Sequence, residues 1–225
     1  MRRALLISLM TAMTGLWAAG IPAFAQDKSI APDLSRIPAG SGWKVTGRKA
    51  SLFDAEGRKG VSLDAAQGDG VALFDGFEFA DGVIEIDLKG RNVTGASFVG
   101  VAFRAADEKT FDAVYFRPFN FKNPNELNRS HGVQYISHPE YTWQKLRNEH
   151  PGVYEKPVNP VPEPDSWFHA RIVVAGPKVE VFVNGAAEPS LRVETLTARR
   201  SGRIGLWVGN GSDGTFANLK ITPSR

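Results

Sequence analysis

Short runs that alternate apolar and polar residues constrain this chain more than any other feature of its sequence. Residues 83–88 read Val-Ile-Glu-Ile-Asp-Leu, and a period of two recurs in residues 98–104, 111–117, 133–138, 168–175, 179–183, 203–208 and 216–221. Turn residues separate the runs, as in Ala-Asp-Gly at 80–82 and Asn-Gly at 184–185. Many short strands with turns at this spacing predict an all-β, antiparallel sandwich or barrel.

The amino terminus has the pattern of a secretory signal peptide. Arg2 and Arg3 precede an apolar stretch over residues 4–20, and Ala23-Phe24-Ala25 forms a small-x-small cleavage site. Polar residues interrupt the stretch and no basic cluster follows it, which disfavours a membrane anchor. We therefore predict cleavage of residues 1–25, a periplasmic or secreted protein, and no membrane partner afterwards. N-terminal sequencing of the exported protein is expected to begin at Gln26, and retention of Met1 would contradict cleavage.

Charge and cysteine content exclude several classes of function. The chain carries 27 Lys and Arg against 24 Asp and Glu, and the predicted signal removes two arginines, so the mature chain is close to neutral. No basic run exceeds Arg199-Arg200, so the sequence predicts no nucleic-acid partner. The chain contains no cysteine, which excludes disulfides, thiol catalysis and cysteine-ligated metals.

The remaining chain divides into a lead-in and one domain. Residues 26–42 are rich in Pro, Ser and Gly and are predicted to be a flexible lead-in, and residues 43–225 are predicted to form the single domain. Within it, residues 118–164 are irregular, with several prolines and aromatics and three of the four histidines. One short helix is predicted there, with Pro139 at its first position and residues 141–149 as its body. A loop this long is usually functional, and the alternative is a cap over the sandwich.

Specific segments resemble a known superfamily. Residues 167–185 look like the central hairpin of laminin-G-like and concanavalin A-like domains, and residues 202–209 and 216–221 look like their last two strands. With Asp75-Gly76-Phe77 and the strand of Glu85, the whole is most similar to the 3-keto-disaccharide hydrolase branch of the concanavalin A-like lectin/glucanase superfamily. The resemblance implies an antiparallel jelly-roll β-sandwich and a carbohydrate ligand, with a glycoside hydrolase acting on keto-disaccharides as the implied activity.

One acidic run imitates a glucanase motif. Glu85-Ile86-Asp87-Leu88 begins like the catalytic run of family 16 glycoside hydrolases, but Lys89 and Gly90 stand where the last acid belongs. Without a second acid, a paired-carboxylate hydrolysis is not assigned to this strand.

Strand parity selects the candidate binding residues. Successive side chains of a strand point to opposite faces, so the odd and even positions of a run form two sets, called parities here. Core residues occupy one parity of each run, and the other parity therefore faces away from the core. The outward parity and the long loop together supply Glu85, Asp87, Tyr115, Gln134, Trp143 and Trp207 as candidate substrate-binding residues. Aromatic rings suit the apolar faces of a sugar, and polar groups suit its hydroxyls. The site is expected on the concave sheet, under the loop of residues 118–164.

The resemblance also implies catalytic roles. A base would remove a proton beside a keto group, and His138 or Glu140 is placed for this because both lie where a strand meets the long loop. Arg104 or Arg117 would stabilise the enolate oxygen. Strand parity further predicts that the two guanidinium groups converge on one position, where Glu85 or Asp87 would pair with them in the absence of a ligand.

Alternative interpretations remain for these residues. Glu85, Asp87 and the arginines also fit ion pairs between strands, and Trp207 also fits a satellite core beneath a loop. The histidines are too irregularly spaced to predict a metal site, and no cofactor is expected. The turn at residues 210–214 suits either a structural calcium or a tight turn alone. A non-catalytic glycan-binding module is the competing function, and a structural or partner-binding sandwich is a third.

Overall fold

Two seven-stranded antiparallel sheets form the structure, a computed structural model that describes residues 29–224. Sheet I has the strand order β1-β4-β13-β6-β7-β8-β9, and sheet II has the order β12-β11-β10-β5-β14-β3-β2. The strands are β1 (Trp43–Thr46), β2 (Ala50–Ala55), β3 (Arg58–Leu63), β4 (Gly70–Phe79), β5 (Gly82–Lys89), β6 (Val99–Ala105), β7 (Phe111–Phe116), β8 (Val133–His138), β9 (Glu155–Lys156), β10 (Phe168–Ala175), β11 (Lys178–Val183), β12 (Leu191–Glu194), β13 (Gly202–Val208) and β14 (Gly214–Pro223). The predicted all-β sandwich is confirmed, and the predicted signal peptide lies outside the described residues.

The core lies between the two sheets and uses the predicted parity. Ile84 and Ile86 of β5 in sheet II are fully buried in one cluster with Val101 and Phe103 of β6 and Leu206 of β13 in sheet I. Each such strand therefore has one face in the core and leaves the other for solvent, loops or a site.

The part of the lead-in that the structure describes, residues 29–42, is more ordered than the sequence predicts. Ile30 pairs with Ile221 of β14, and a 3-10 helix over Leu34–Ala39 buries Leu34 and Ile37 against the core. Asp33 caps this helix by accepting from the Ser35 N–H at 3.0 Å. Two apolar side chains at helical spacing are enough to hold the segment, although its Pro, Ser and Gly content is typical of a loop.

Three short helices interrupt residues 118–164, where one was predicted. They are α1 (Pro118–Phe121), α2 (Glu126–Arg129) and α3 (Trp143–Glu149). The helix predicted from Pro139 begins later, because the Thr142 side chain caps α3 by accepting from the Lys145 N–H at 3.4 Å. Leu146 anchors α3 on the outer face of sheet I. No helix within residues 29–224 is long and apolar enough to span a membrane.

Candidate functional site

A cleft of about 670 Å³ lies between the outer face of sheet I and the loops of residues 118–164. Tyr115 of β7, Ile136 of β8 and Trp207 of β13 contribute to its lining from the sheet. The loops contribute polar and aromatic groups, among them Thr94, Asn120, Asn128, Trp143, Gln144 and Asn210. Uncharged amides and hydroxyls with an aromatic ring form the mixture that sugar hydroxyls and sugar faces require.

A glycine allows the aromatic floor of the cleft to form. Gly100 of β6 pairs with Tyr115 on one side and with Trp207 on the other. A side chain at Gly100 would collide with the main chain of Val114 and with Tyr115, because a Cβ there lies 2.2 Å from the Val114 carbonyl oxygen. Without one, the Tyr115 and Trp207 rings pack at 4.9 Å between centroids.

Asp69 and His138 form an acid–base pair in the cleft. Asp69 lies in the turn before β4 and His138 ends β8, and Asp69 Oδ2 lies 3.6 Å from His138 Nδ1. Burial raises the pKa of Asp69, against the opposing effects of His138, Trp207 and Arg48. The Trp207 indole N–H is close enough to lower the pKa of this carboxylate, although the two groups do not form a hydrogen bond of normal geometry. Both groups line the cleft, so the pair faces any bound ligand.

Burial lowers the pKa of His138, and the Asp69 carboxylate partly offsets this effect. The two pKa values therefore move toward each other, since that of the acid rises and that of the base falls. Opposed shifts of this kind in a cleft are typical of groups that take part in proton transfer.

Arg117 is the buried cation of the cleft. Its Nη2 donates to Tyr115 Oη and Gln134 Oε1, each at 2.5 Å, and its Nη1 donates to the His131 carbonyl oxygen at 3.0 Å. Its Cζ lies 4.8 Å from the centroid of the Tyr115 ring and 5.9 Å from that of Trp143. Burial raises the pKa of Tyr115 to about 12, so the phenol stays protonated beside this fixed charge.

Glu155 connects this cation to the loops. Its carboxylate accepts two hydrogen bonds from Arg147 of α3, at 2.8 and 2.7 Å, and lies 3.6 Å from Arg117 Nη1. His131 Nε2 lies 3.3 Å from the same carboxylate, and burial lowers the pKa of His131. One buried carboxylate on β9 thus holds two arginines and fixes α3 beside the cleft.

Arg104 lies away from the cleft, so the expected convergence with Arg117 is not found. Arg104 has a φ of 49°, and the pairing of β6 with β13 shifts register beside it. Its guanidinium instead donates to the Ala80 carbonyl oxygen at 2.9 Å and to Asp81 at 2.6 Å. The irregularity breaks the alternation that parity assumes, and the fully buried Arg104 binds the turn between β4 and β5.

Glu85 and Asp87 lie on the opposite side of the molecule. They face away from the core as predicted, but β5 belongs to sheet II. Asp87 accepts from Asn218 at 2.7 Å and lies 2.8 Å from His169 Nδ1, and Glu85 pairs with Lys220 at 3.3 Å. These are the cross-strand ion pairs of the alternative interpretation, and neither acid is a resting partner of Arg117.

The remaining candidates divide between the cleft and the surface. Glu140 is exposed outside the cleft, and its closest cation is Lys145 at 3.9 Å. Tyr115 and Trp207 lie on the cleft floor but are only 1% and 4% exposed, because their rings pack on each other. Gln134 is buried beneath Arg117. Trp143, 39% exposed, is the candidate aromatic side chain that a sugar can reach.

Sequence reasoning missed Asp69, Arg147 and Glu155. Asp69 lies in a Gly-Asp-Gly turn outside any alternating run, and that triplet reads as an ordinary turn. Arg147 and Glu155 lie eight residues apart in the irregular segment, where no periodicity assigns an orientation. Only the fold brings these residues to His138 and Arg117.

Comparisons with known proteins give a family and a fold. Residues 39–222 match the family model described as a 3-keto-alpha-glucoside-1,2-lyase-like domain. No curated protein matches the sequence.

Solved structures share the architecture at low identity. A carbohydrate binding module, CBM66 from Bacillus subtilis, is 15% identical with a TM-score of 0.55, over 80% of this chain and 95% of that one. The metal-free exoplasmic/lumenal domain of VIP36 is 11% identical with a TM-score of 0.56, over 89% and 93%. A native glycosidic hydrolase is 12% identical with a TM-score of 0.51, over 88% and 97%. At these identities the matches confirm the predicted fold alone.

Proposed function

We propose that this chain, which belongs to the 3-keto-alpha-glucoside-1,2-lyase-like family, cleaves a keto-disaccharide in the cleft of sheet I. A ketone acidifies the hydrogen on the neighbouring carbon, and a base that removes this hydrogen forms an enolate. Collapse of the enolate expels the glycosidic oxygen from the next carbon and leaves a carbon–carbon double bond. If water then adds across that bond, the net reaction is hydrolysis.

The pairing of Asp69 with His138 is the observation that carries this proposal. His138 Nδ1 faces Asp69 at 3.6 Å, which leaves Nε2 to meet the substrate. Since burial lowers the pKa of His138, its imidazole is neutral near pH 7 and can accept the proton. Asp69 then stabilises the imidazolium, and the same proton can return to the departing glycosidic oxygen.

Arg117 supports the proposal as the fixed charge near the enolate. A guanidinium stays protonated under all working conditions, and its donors to Tyr115, Gln134 and His131 hold it in one place. A positive charge that is already oriented in a buried site stabilises a developing anion without further reorganisation. Arg117 therefore has the role that sequence analysis divided between two arginines.

The rim of the cleft supports a neutral sugar ligand. Arg117 and Arg147 are both paired with Glu155, so neither is an unpaired cation awaiting an anionic substrate. The amides of Asn120, Asn128 and Gln144 offer donors and acceptors for hydroxyl groups. The predicted export belongs to this proposal too, and would place the activity outside the cytoplasm.

A non-catalytic glycan-binding module is the second candidate. It is favoured by the partly exposed Trp143 ring in a cleft that also offers the uncharged amides of Asn120, Asn128 and Gln144, a combination that is sufficient for binding without chemistry. In that case Asp69 and His138 would only contact hydroxyl groups.

Matched sugars separate the two functions. A 3-keto-disaccharide and its unoxidised parent should be tested by calorimetry for binding and by chromatography for released monosaccharide. We expect both sugars to bind and only the keto sugar to be cleaved, because only a ketone acidifies the neighbouring hydrogen. Binding of both without cleavage would support the glycan-binding module, and binding of neither would contradict a sugar site.

The variant Trp143→Ala tests the binding mode in the same experiment. Stacking of bases on aromatic side chains contributes about 1–3 kcal/mol, so loss of a comparable sugar stack should weaken affinity roughly tenfold. Trp167→Ala is the control, because Trp167 contacts Arg58 and Phe53 near sheet II and is outside the cleft. Equal affinities for the two variants would exclude Trp143 as the sugar platform.

A further inference from the structure

Arg48 lies beneath one wall of the cleft, and its guanidinium donates to four main-chain carbonyl oxygens. Nη1 donates to Gly47 at 2.5 Å, Nη2 to Gly68 at 2.7 Å and to Gly209 at 2.8 Å, and Nε to Ser212 at 3.3 Å. The residue is 9% exposed.

The acceptors of Arg48 distinguish it from the other buried arginines. Arg104 and Arg117 each lie within 4 Å of a carboxylate, Asp81 and Glu155 respectively, whereas Arg48 has no such ion pair among residues 29–224. Four carbonyl oxygens directed at one positive centre form the kind of oxygen environment in which proteins hold hard cations. Here a side chain of the chain itself supplies the charge, and each oxygen receives an N–H donor.

Three of the four carbonyl oxygens, those of Gly68, Gly209 and Ser212, belong to loops that carry cleft residues. Gly68 directly precedes Asp69, and Gly209 directly precedes Asn210. The Asn210 side chain accepts from the Gly68 N–H at 2.7 Å, so the two loops also bind each other. Asp69, Gly209 and Asn210 all line the cleft. A single guanidinium thus holds the loop of Asp69 and the loop of Asn210.

The stem of Arg48 fixes the same place by packing. A Cβ at Gly70 would lie 2.2 Å from Arg48 Cγ, so the aliphatic part of Arg48 lies directly over the residue that follows Asp69. The main chain on both sides of Asp69 is therefore held by Arg48, through a hydrogen bond at Gly68 and through contact at Gly70.

We propose that Arg48 is a positioning residue, an internal cation that fixes the Asp69 and Asn210 loops in the geometry that places Asp69 beside His138. It touches no substrate and acts through these loops. The proposal deepens the proposed function, because the pair that it sets is the pair assigned to proton transfer. The role depends on the reach of a planar group with several donors, so an ammonium group at this position cannot replace it.

The variants Arg48→Met and Arg48→Lys test this role in the full chain without substrate. Hydrogen exchange should show the amides of residues 68 and 210 exchanging at least about tenfold faster in both variants, while the amides of β6 and β7 keep their protection. The His138 ring signal in a nuclear magnetic resonance titration should move to a lower pH midpoint, because a displaced Asp69 no longer raises the pKa of His138.

Arg91→Met is the matched control, since Arg91 pairs with Asp213 near the same turn at 2.8 Å but does so at the surface. It should leave both readouts as in the wild type. The proposal is overturned if the Arg48 variants exchange and titrate like Arg91→Met, or if Arg48→Lys restores wild-type values. If Arg48→Met does not fold, Arg48→Lys alone decides. Both readouts are free of sugar, so they test Arg48 even if the keto-disaccharide assay fails.

Discussion

Replacing Asp69 with asparagine is expected to lower kcat/KM on a keto-disaccharide by about 10²–10⁴-fold, the usual range for losing a proton-transfer group. The amide keeps the size of the side chain but carries no negative charge, so it cannot stabilise the imidazolium that His138 becomes. His138→Gln is expected to fall into the same range. Because the two groups act as a unit, the double variant should be little worse than either single one.

Two surface pairs supply controls of identical chemistry. Asp213→Asn removes a carboxylate that pairs with Arg91, and His169→Gln removes an imidazole from the outer face of sheet II. Neither residue lines the cleft, so kcat/KM should stay within about twofold of wild type, as for most surface substitutions. Near-normal turnover in Asp69→Asn would remove this pair from the mechanism.

The pH dependence of the same variants has a defined sign. Burial lowers the pKa of His138 below the ordinary histidine value of about 6.5. As the pH falls, wild-type kcat/KM should therefore keep its neutral-pH value past about 6.5. It should decrease only at lower pH, where His138 becomes protonated and can no longer act as the base. The Asp69 carboxylate raises that pKa, so Asp69→Asn should move the acid limb to still lower pH. An acid limb that moves upward would mean that His138 does not set it.

Much of the fold follows from alternation, because a strand with one face in the core must repeat every two residues. β8 and β10 have the predicted bounds, and β5, β6, β7, β11, β13 and β14 lie within a few residues of prediction. Strands β1 to β4, β9 and β12 were not predicted. β2 has largely exposed side chains on both faces, and β4 contains Gly70 and Gly76, so neither has a clear period. The predicted family is confirmed, since its model spans residues 39–222.

Parity predicted which residues leave the core but not which sheet carries them. Glu85 does point outward, yet pairing with β10 and β14 places it on sheet II, and no local pattern contains that choice. Arg104 shows the other limit, because one positive φ at a register shift redirects the side chain. Asp69 is 69 positions from His138 in sequence and meets it only through the assembled sheet.

Replacing Glu155 with glutamine is expected to lower the free energy of unfolding by about 3–5 kcal/mol, the usual cost of removing one partner from a buried ion pair. Glutamine keeps the shape but leaves the charge of Arg117, which is almost fully buried, without a counterion. His131 cannot take over, because an imidazole is neutral or positive and supplies no negative charge. Chemical denaturation of the full chain measures the loss.

Glu163→Gln isolates the effect of burial in this prediction. Glu163 pairs with Lys122, and both side chains are about half exposed or more, so the same substitution there should cost less than about 1 kcal/mol. Because Glu155 also holds Arg147 of α3, its loss should free the helix that carries Trp143, and sugar affinity should fall together with stability. Equal losses of stability in the two variants would mean that the Glu155 cluster is no stronger than a surface pair. Lower stability with unchanged affinity would mean that the sugar platform does not depend on α3.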